Sequence, residues 1–245
     1  MRKKSLKALL LSVLTLTFLF TSSFTAYAAS SSVTKVTVYG YTYNFWAEAY
    51  HDSDGSWAYT IAETANGNDA PAGYMGVIAR LYNSSDILVA SSGNDYYYYN
   101  SPSSNIVEST PIISGSGNYY SQGKVQFYNG STYTPYTTTK SPYVAGRVAS
   151  STIKPYQTNI NGESYGYAGQ NADMIGYEPD LIAAYGTDGT FGYVRATELV
   201  SPTPSSPEEA IALSQQNKNG KTINVYGKDG ITVISTFKLA SGRVK

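Results

Sequence analysis

The sequence predicts a mainly β protein, an antiparallel β-sandwich or barrel followed by a small α+β module with one helix. Three observations lead there. Short stretches of alternating apolar and polar residues recur through the first half, separated by Gly, Asn, Ser and Pro and without a helical period. Tyrosine is unevenly spread: of 25 in the chain, 18 lie between Tyr39 and Tyr156 and six follow. A single strong helix start occurs, at Ser206-Pro207-Glu208-Glu209.

The fall in tyrosine density, the Ser141-Pro142 pair and the Ser150-Ser151-Thr152 cluster place a boundary near residue 150. Residues 33–149 are expected to form a tyrosine-rich β domain and residues 152–245 the α+β module. In the first, Tyr41, Tyr43, Phe45, Ala47 and Ala49 alternate with Thr42, Asn44, Trp46, Glu48 and Tyr50, which gives a strand with one buried face. Asp52-Ser53-Asp54-Gly55 turns the chain, and Trp57, Tyr59 and Ile61 resume the alternation as the second arm of a hairpin. Met75, Val77, Ala79 and Leu81 form the next inward set; residues 83–86 turn, and residues 87–90 return. Leu81-Tyr82-Asn83-Ser84 is echoed by Phe127-Tyr128-Asn129-Gly130, too briefly for a solenoid.

In the second segment, residues 181–185, the turn Gly186-Thr187-Asp188-Gly189 and residues 191–195 read as strand, turn, strand. The helix starts at Pro207, with Ser206 as cap and Glu209 three residues on, turns Ala210, Ile211 and Leu213 inward, and ends around Asn219-Gly220. Residues 223–226, the turn Gly227-Lys228-Asp229-Gly230 and residues 231–239 form a closing hairpin.

Residues 1–28 read as a signal peptide: Arg2, Lys3, Lys4 and Lys7, an apolar stretch from Ala8 to Phe20, then Ala26-Tyr27-Ala28 as a small-x-small cleavage pattern. Cleavage is expected after Ala28. The apolar stretch falls short of the roughly 20 residues a spanning helix needs, and no later segment approaches that length. The expected protein is therefore secreted and extracellular, with no membrane span in the mature chain. The full chain has 17 basic and 17 acidic residues, but the four basic residues of the leader have no acidic counterpart, leaving the mature chain at about minus four. That charge argues against a nucleic-acid partner. Absence of cysteine excludes disulfides, thiolate metal sites and thiol nucleophiles, and a single histidine excludes multi-histidine metal centres, so no cofactor is expected.

Two segments resemble modules of exported proteins from spore-forming Gram-positive bacteria. Gly73-Tyr74-Met75-Gly76, Arg80-Leu81-Tyr82-Asn83, Asn100-Ser101-Pro102 and Tyr119-Tyr120-Ser121-Gln122-Gly123-Lys124-Val125 are similar to a tyrosine-rich β module. Glu178-Pro179-Asp180-Leu181-Ile182, Gly192-Tyr193-Val194 and Pro207-Glu208-Glu209-Ala210 are similar to a C-terminal module of such proteins. The resemblance implies secretion and carries no catalytic residues.

Several short matches to catalytic motifs fail on context. Gly162-Glu163-Ser164-Tyr165-Gly166 has the nucleophile-elbow spacing, but turn residues precede it and no histidine follows residue 51. The Ser-x-x-Lys pairs at Ser151 and Ser235 lack their companion motifs, and in a strand Ser235 and Lys238 face opposite ways. Gly220-Lys221-Thr222 leaves a helix instead of starting one, so it is no phosphate loop. His51-Asp52-Ser53-Asp54-Gly55 is a fragment of a calcium loop without its closing acid and reads as a hairpin turn.

The positive signal is aromatic. Tyr96-Tyr97-Tyr98-Tyr99 must send two rings to each face of a strand, so two point away from the core. Exposed tyrosine, with Trp46 or Trp57, suits stacking on sugars; the structural counter-reading is that tyrosine fits half-buried strands. The expected function is thus a non-enzymatic binding or structural protein that contacts cell-wall or matrix glycan through Tyr96, Tyr97, Tyr98, Tyr99, Trp46 and Trp57. The alternatives are a carboxylate-dependent extracellular hydrolase drawing on Glu48, Glu63, Glu178 and Asp180, and a secreted inhibitor or toxin-like effector.

Overall fold

The computed structural model describes residues 27–114, 117–144, 152–216 and 219–241. The expected leader therefore lies outside the described residues up to residue 26. Among the described residues the chain is mainly β, with three sheets and three helices.

The first sheet joins β1 (Tyr27–Ser30), β2 (Thr34–Val38), β3 (Tyr41–Asp52), β4 (Gly55–Thr64) and β9 (Asn105–Ser109), all antiparallel. The β3–β4 hairpin and its turn fall where the alternation predicts, and Tyr43, Phe45, Ala47 and Ala49 are completely buried. The expected cleavage after Ala28 falls inside β1, beyond which Ala29 and Ser30 still pair with Ala49 and Glu48. The second sheet, β12 (Tyr133–Thr137), β11 (Lys124–Tyr128), β5 (Met75–Ile78) and β8 (Tyr97–Tyr98), packs face to face on the first. Tyr43, Phe45, Ala62 and Ile106 meet Met75, Val77, Val125 and Phe127 in that core, and the Tyr43 and Phe127 rings stack 4.0 Å apart. This is the sandwich the sequence predicts.

The third sheet has nine strands: β10 (Tyr119–Ser121), β6 (Arg80–Asn83), β7 (Leu88–Ser91), β18 (Val233–Leu239), β17 (Lys221–Tyr226), β16 (Phe191–Arg195), β15 (Leu181–Tyr185), β14 (Ser164–Gly166) and β13 (Gln157–Thr158). It takes strands from both sides of residue 150. Leu239 pairs with Ser91 and Ala184 with Leu88, and Tyr82, Leu88 and Tyr120 share one core with Ile182, Val194, Val225, Phe237 and Leu239. The two expected segments thus share a sheet and a core, because β7 has an edge that only later strands complete.

Two continuous stretches cross between the second and third sheets. Residues 75–83 pass from β5 to β6 at Ala79, and residues 119–128 pass from β10 to β11 at Gln122-Gly123; both halves of each stretch pair with the other stretch. Space decides the residue at this corner: a Cβ on Gly123 would run into Thr60 and lie 2.7 Å from the Ile78 carbonyl oxygen.

The helix expected at Pro207 is α3 (Pro207–Gln216), preceded by α1 (Gln170–Ile175) and α2 (Ala196–Leu199), which lack sequence start signals. Ser206 Oγ accepts the Glu209 N–H at 3.2 Å, and the Glu209 carboxylate accepts the Ser205 N–H at 2.8 Å. Ala210 packs beside Ile78, Tyr96, Tyr98 and Tyr133, fixing α3 on the second sheet. No helix among the described residues is long and apolar enough to cross a membrane.

Gly123→Ala is expected to lose about 1–3 kcal/mol from overpacking at the corner, read as a lower midpoint in urea unfolding with an unchanged slope.

Candidate functional site

The aromatic surface grows from one hairpin. β2 and β3 are joined by only Tyr39 and Gly40, both at positive φ (47° and 82°), as a two-residue turn matching the strand twist requires. Glycine accepts that conformation freely, whereas a tyrosine there costs on the order of 1 kcal/mol or more. The Tyr39 side chain is 57% exposed yet anchored. Its ring lies over Gly130, where a Cβ would come within 2.6 Å of it, and packs against Tyr128 (5.7 Å, edge-on) and Tyr74 (6.3 Å). Tyr74 in turn meets Tyr128 at 5.0 Å and Tyr41 at 5.7 Å. These four half-buried or exposed rings, from three separate stretches of sequence, form one continuous surface. Burial, then the neighbouring tyrosines, raises the Tyr74 phenol above its ordinary value, so the surface is neutral at its centre.

The sequence-predicted aromatics divide. Tyr96 and Tyr98 are buried beneath α3, with the Tyr98 hydroxyl accepting from Gln126, and Trp57 is buried on β4. These three are corrections to the expected binding set, because their rings are covered, Tyr96 and Tyr98 in a core cluster and Trp57 on the outer face of the first sheet, where it stacks with Tyr50 at 5.5 Å. Tyr97 is 37% exposed and sits edge-on to the half-buried Tyr99 at 5.6 Å, matching the expected alternation. Trp46 is half-buried on the outer face of β3 and donates its indole N–H to Glu48 (2.8 Å), whose other oxygen accepts from the Tyr50 hydroxyl (2.7 Å). The structure brings Trp46, Tyr50 and Trp57 onto that outer face, while Tyr97 lies on another sheet and Tyr99 just beyond its strand.

Tyr39, Tyr41, Tyr74 and Tyr128 were absent from the sequence-based set. The available signal was Tyr39-Gly40 between two alternating strands, a hairpin position normally held by Asn, Asp or Gly. Nothing local connects Tyr74 or Tyr128 to it.

The candidate acids have local partners. Glu63 accepts from Asn44 Nδ2 (3.1 Å), and Asp180 accepts from the Ser164 N–H and hydroxyl, both at 2.8 Å. Glu178 enters the sheet-switching corner, where Arg80 Nη1 bonds one oxygen at 3.0 Å and Lys124 Nζ the other at 2.7 Å. The two acids flanking Pro179 therefore serve different neighbours. Burial opposes the Glu178 charge, but the Arg80 and Lys124 cations outweigh it and hold the carboxyl below its ordinary value. The sequence alternation assigned Ala79 and Leu81 to the core and left Arg80 to the opposite face; that face is covered too, and Arg80 is fully buried. His51 Nδ1 pairs with Ser56 Oγ at 2.8 Å, half-buried at the end of β3. No group of three or more His, Asp or Glu side chains that could hold a metal occurs among the described residues.

The chain matches no family model, no curated protein and no solved structure.

Glu178→Gln is expected to cost about 3 kcal/mol, the low end for breaking a buried ion pair, since the Glu178 side chain keeps 27% exposure. Because the folded-state value is depressed, the ionic contribution is complete above the unfolded ionisation and lost as pH falls through the folded one. The stability gap between wild type and variant, measured by thermal unfolding across pH, should thus be constant near neutrality and shrink in acid.

Proposed function

We propose that the protein is a secreted, non-enzymatic binding protein that holds cell-wall or matrix glycan on the surface of Tyr39, Tyr41, Tyr74 and Tyr128. The observation that carries this reading is Tyr39 itself, an exposed ring kept in a left-handed backbone conformation where a smaller residue would relieve the turn. Strain of this kind concentrates where a side chain must be presented. Rings backed by other rings offer rigid apolar area with hydroxyl tips, which suits the alternating C–H faces and hydroxyl edges of a polysaccharide. Secretion is supported by the leader pattern of residues 1–28. The absence of catalysis is supported by the local partners of Glu48, Glu63, Glu178 and Asp180.

Tyr39→Asn separates binding from folding, because asparagine tolerates positive φ. Relief of strain should roughly offset the lost ring contacts, about 0.5–1.5 kcal/mol, leaving the thermal midpoint within a few degrees. Co-sedimentation of residues 29–245 with purified cell walls and insoluble polysaccharides should show salt-resistant pelleting, weakened about ten-fold or more by Tyr39→Asn (~1.4 kcal/mol). Full retention in that variant, or no pelleting on any matrix, would overturn the proposal.

A further inference from the structure

A different observation, independent of the tyrosine surface, concerns the corner where the two stretches change sheets. There the side chains enclose a cavity of about 360 Å³, within the range of about 300–1,000 Å³ typical of small-molecule sites. Its floor is Arg80, Tyr82 and Gln122, all buried; Lys124 and Glu178 form a wall; Asp173 and Tyr177 stand exposed at the rim.

Donor supply in this cavity exceeds acceptor supply. Arg80 gives one bond to Glu178 and a long one, 3.4 Å, to the Leu199 carbonyl, and its guanidinium interacts with the Tyr82 hydroxyl, while its Nε has no hydrogen-bond partner within ordinary geometry. A buried, unsatisfied guanidinium N–H is a costly feature that calls for an explanation. Lys124 carries three N–H donors and makes one bond, to Glu178. Two fixed cations therefore share one carboxylate. Asp173, the other acid of the cavity, is bonded to Gln122 Nε2 at the rim instead of to either cation. Burial, then the adjacent Arg80 charge, lowers the Lys124 ammonium from its ordinary value against the opposing pull of Glu178 and Asp173.

We propose that this corner cavity binds a sugar-sized, polyhydroxylated ligand bearing one oxyanion, a carboxylate or a phosphate, which the partly exposed Lys124 receives with the buried Arg80 charge behind it. The oxyanion supplies acceptors for the Lys124 donors that Glu178 leaves unused. Hydroxyls fit the polar floor and wall at Gln122 and Tyr82, and the Tyr177 ring, 61% exposed and braced edge-on by Tyr156 at 5.3 Å, offers a stacking face at the mouth. A bare anion would leave most of the volume unfilled.

The test is calorimetric titration of the mature chain with D-glucuronate, with glucose 6-phosphate and with neutral glucose. Saturable binding of at least one acidic sugar at millimolar or lower concentration, and none of glucose, is expected; which acidic sugar binds more tightly distinguishes carboxylate from phosphate. Lys124→Gln should weaken that binding about ten-fold or more, Lys124→Arg should keep it within a few-fold, and Asp173→Asn, which removes a repelling charge at the rim, should bind at least as tightly. Tyr39→Asn should leave it unchanged, which keeps this result separate from glycan pelleting. Equal binding of glucose, no binding of either acidic sugar, or indifference to Lys124→Gln in a folded variant would overturn the proposal.

Discussion

A guanidinium with no solvent exposure sets the main constraint on this fold. Arg80 lies where two strands leave one sheet and enter another, so no surface is available to its side chain. Removing that charge from water costs several kcal/mol unless a partner compensates, and the partner, Glu178, comes from beyond residue 150. The first segment therefore contains a charge that only the second neutralises. The shared nine-stranded sheet repeats the dependence in the backbone, since the later strands β15 and β18 pair along β7.

The abundance of tyrosine has a structural account alongside the functional one. Many of these rings fill the interior while their hydroxyls tether distant segments: Tyr133 donates to the Gly73 carbonyl at 2.6 Å, and Tyr120 donates to Asp86 at 2.9 Å while accepting the Gln170 N–H at 3.0 Å. A chain without cysteine gains long-range fixtures this way, each combining apolar area with a polar tip that must be satisfied. Burial pushes several of these phenols up, Tyr96 and Tyr82 to about 12. Within that population Tyr39 is different, because it is presented outward at a backbone cost instead of packed inward for a gain.

The two candidate sites follow from different physics. The tyrosine surface is a neutral, rigid platform made where a tight hairpin, a glycine and a neighbouring strand end converge. The corner cavity is small and charged, lined by polar side chains from both sheet-switching stretches and from residues 173–178. Extended polymer suits the first shape; a single compact unit suits the second.

Alternation and turn chemistry made much of the fold legible. The β3–β4 and β15–β16 hairpins, the closing hairpin and the start of α3 were readable because each depends on residues close in sequence: a period of two, an Asp-Gly turn, a Ser cap with Pro and Glu behind it. The outward placement of Tyr97 and Tyr99 against the burial of Tyr96 and Tyr98 was legible for the same reason. Tertiary structure alone decided which faces were covered twice. Burial of Arg80 and Trp57, the joining of both segments in one sheet, and the meeting of Tyr39 with Tyr74 and Tyr128 depend on contacts between residues tens of positions apart. Local periodicity records which side of a strand is apolar, whereas what lies against the other side is set by how sheets stack, and that information is spread over the whole chain.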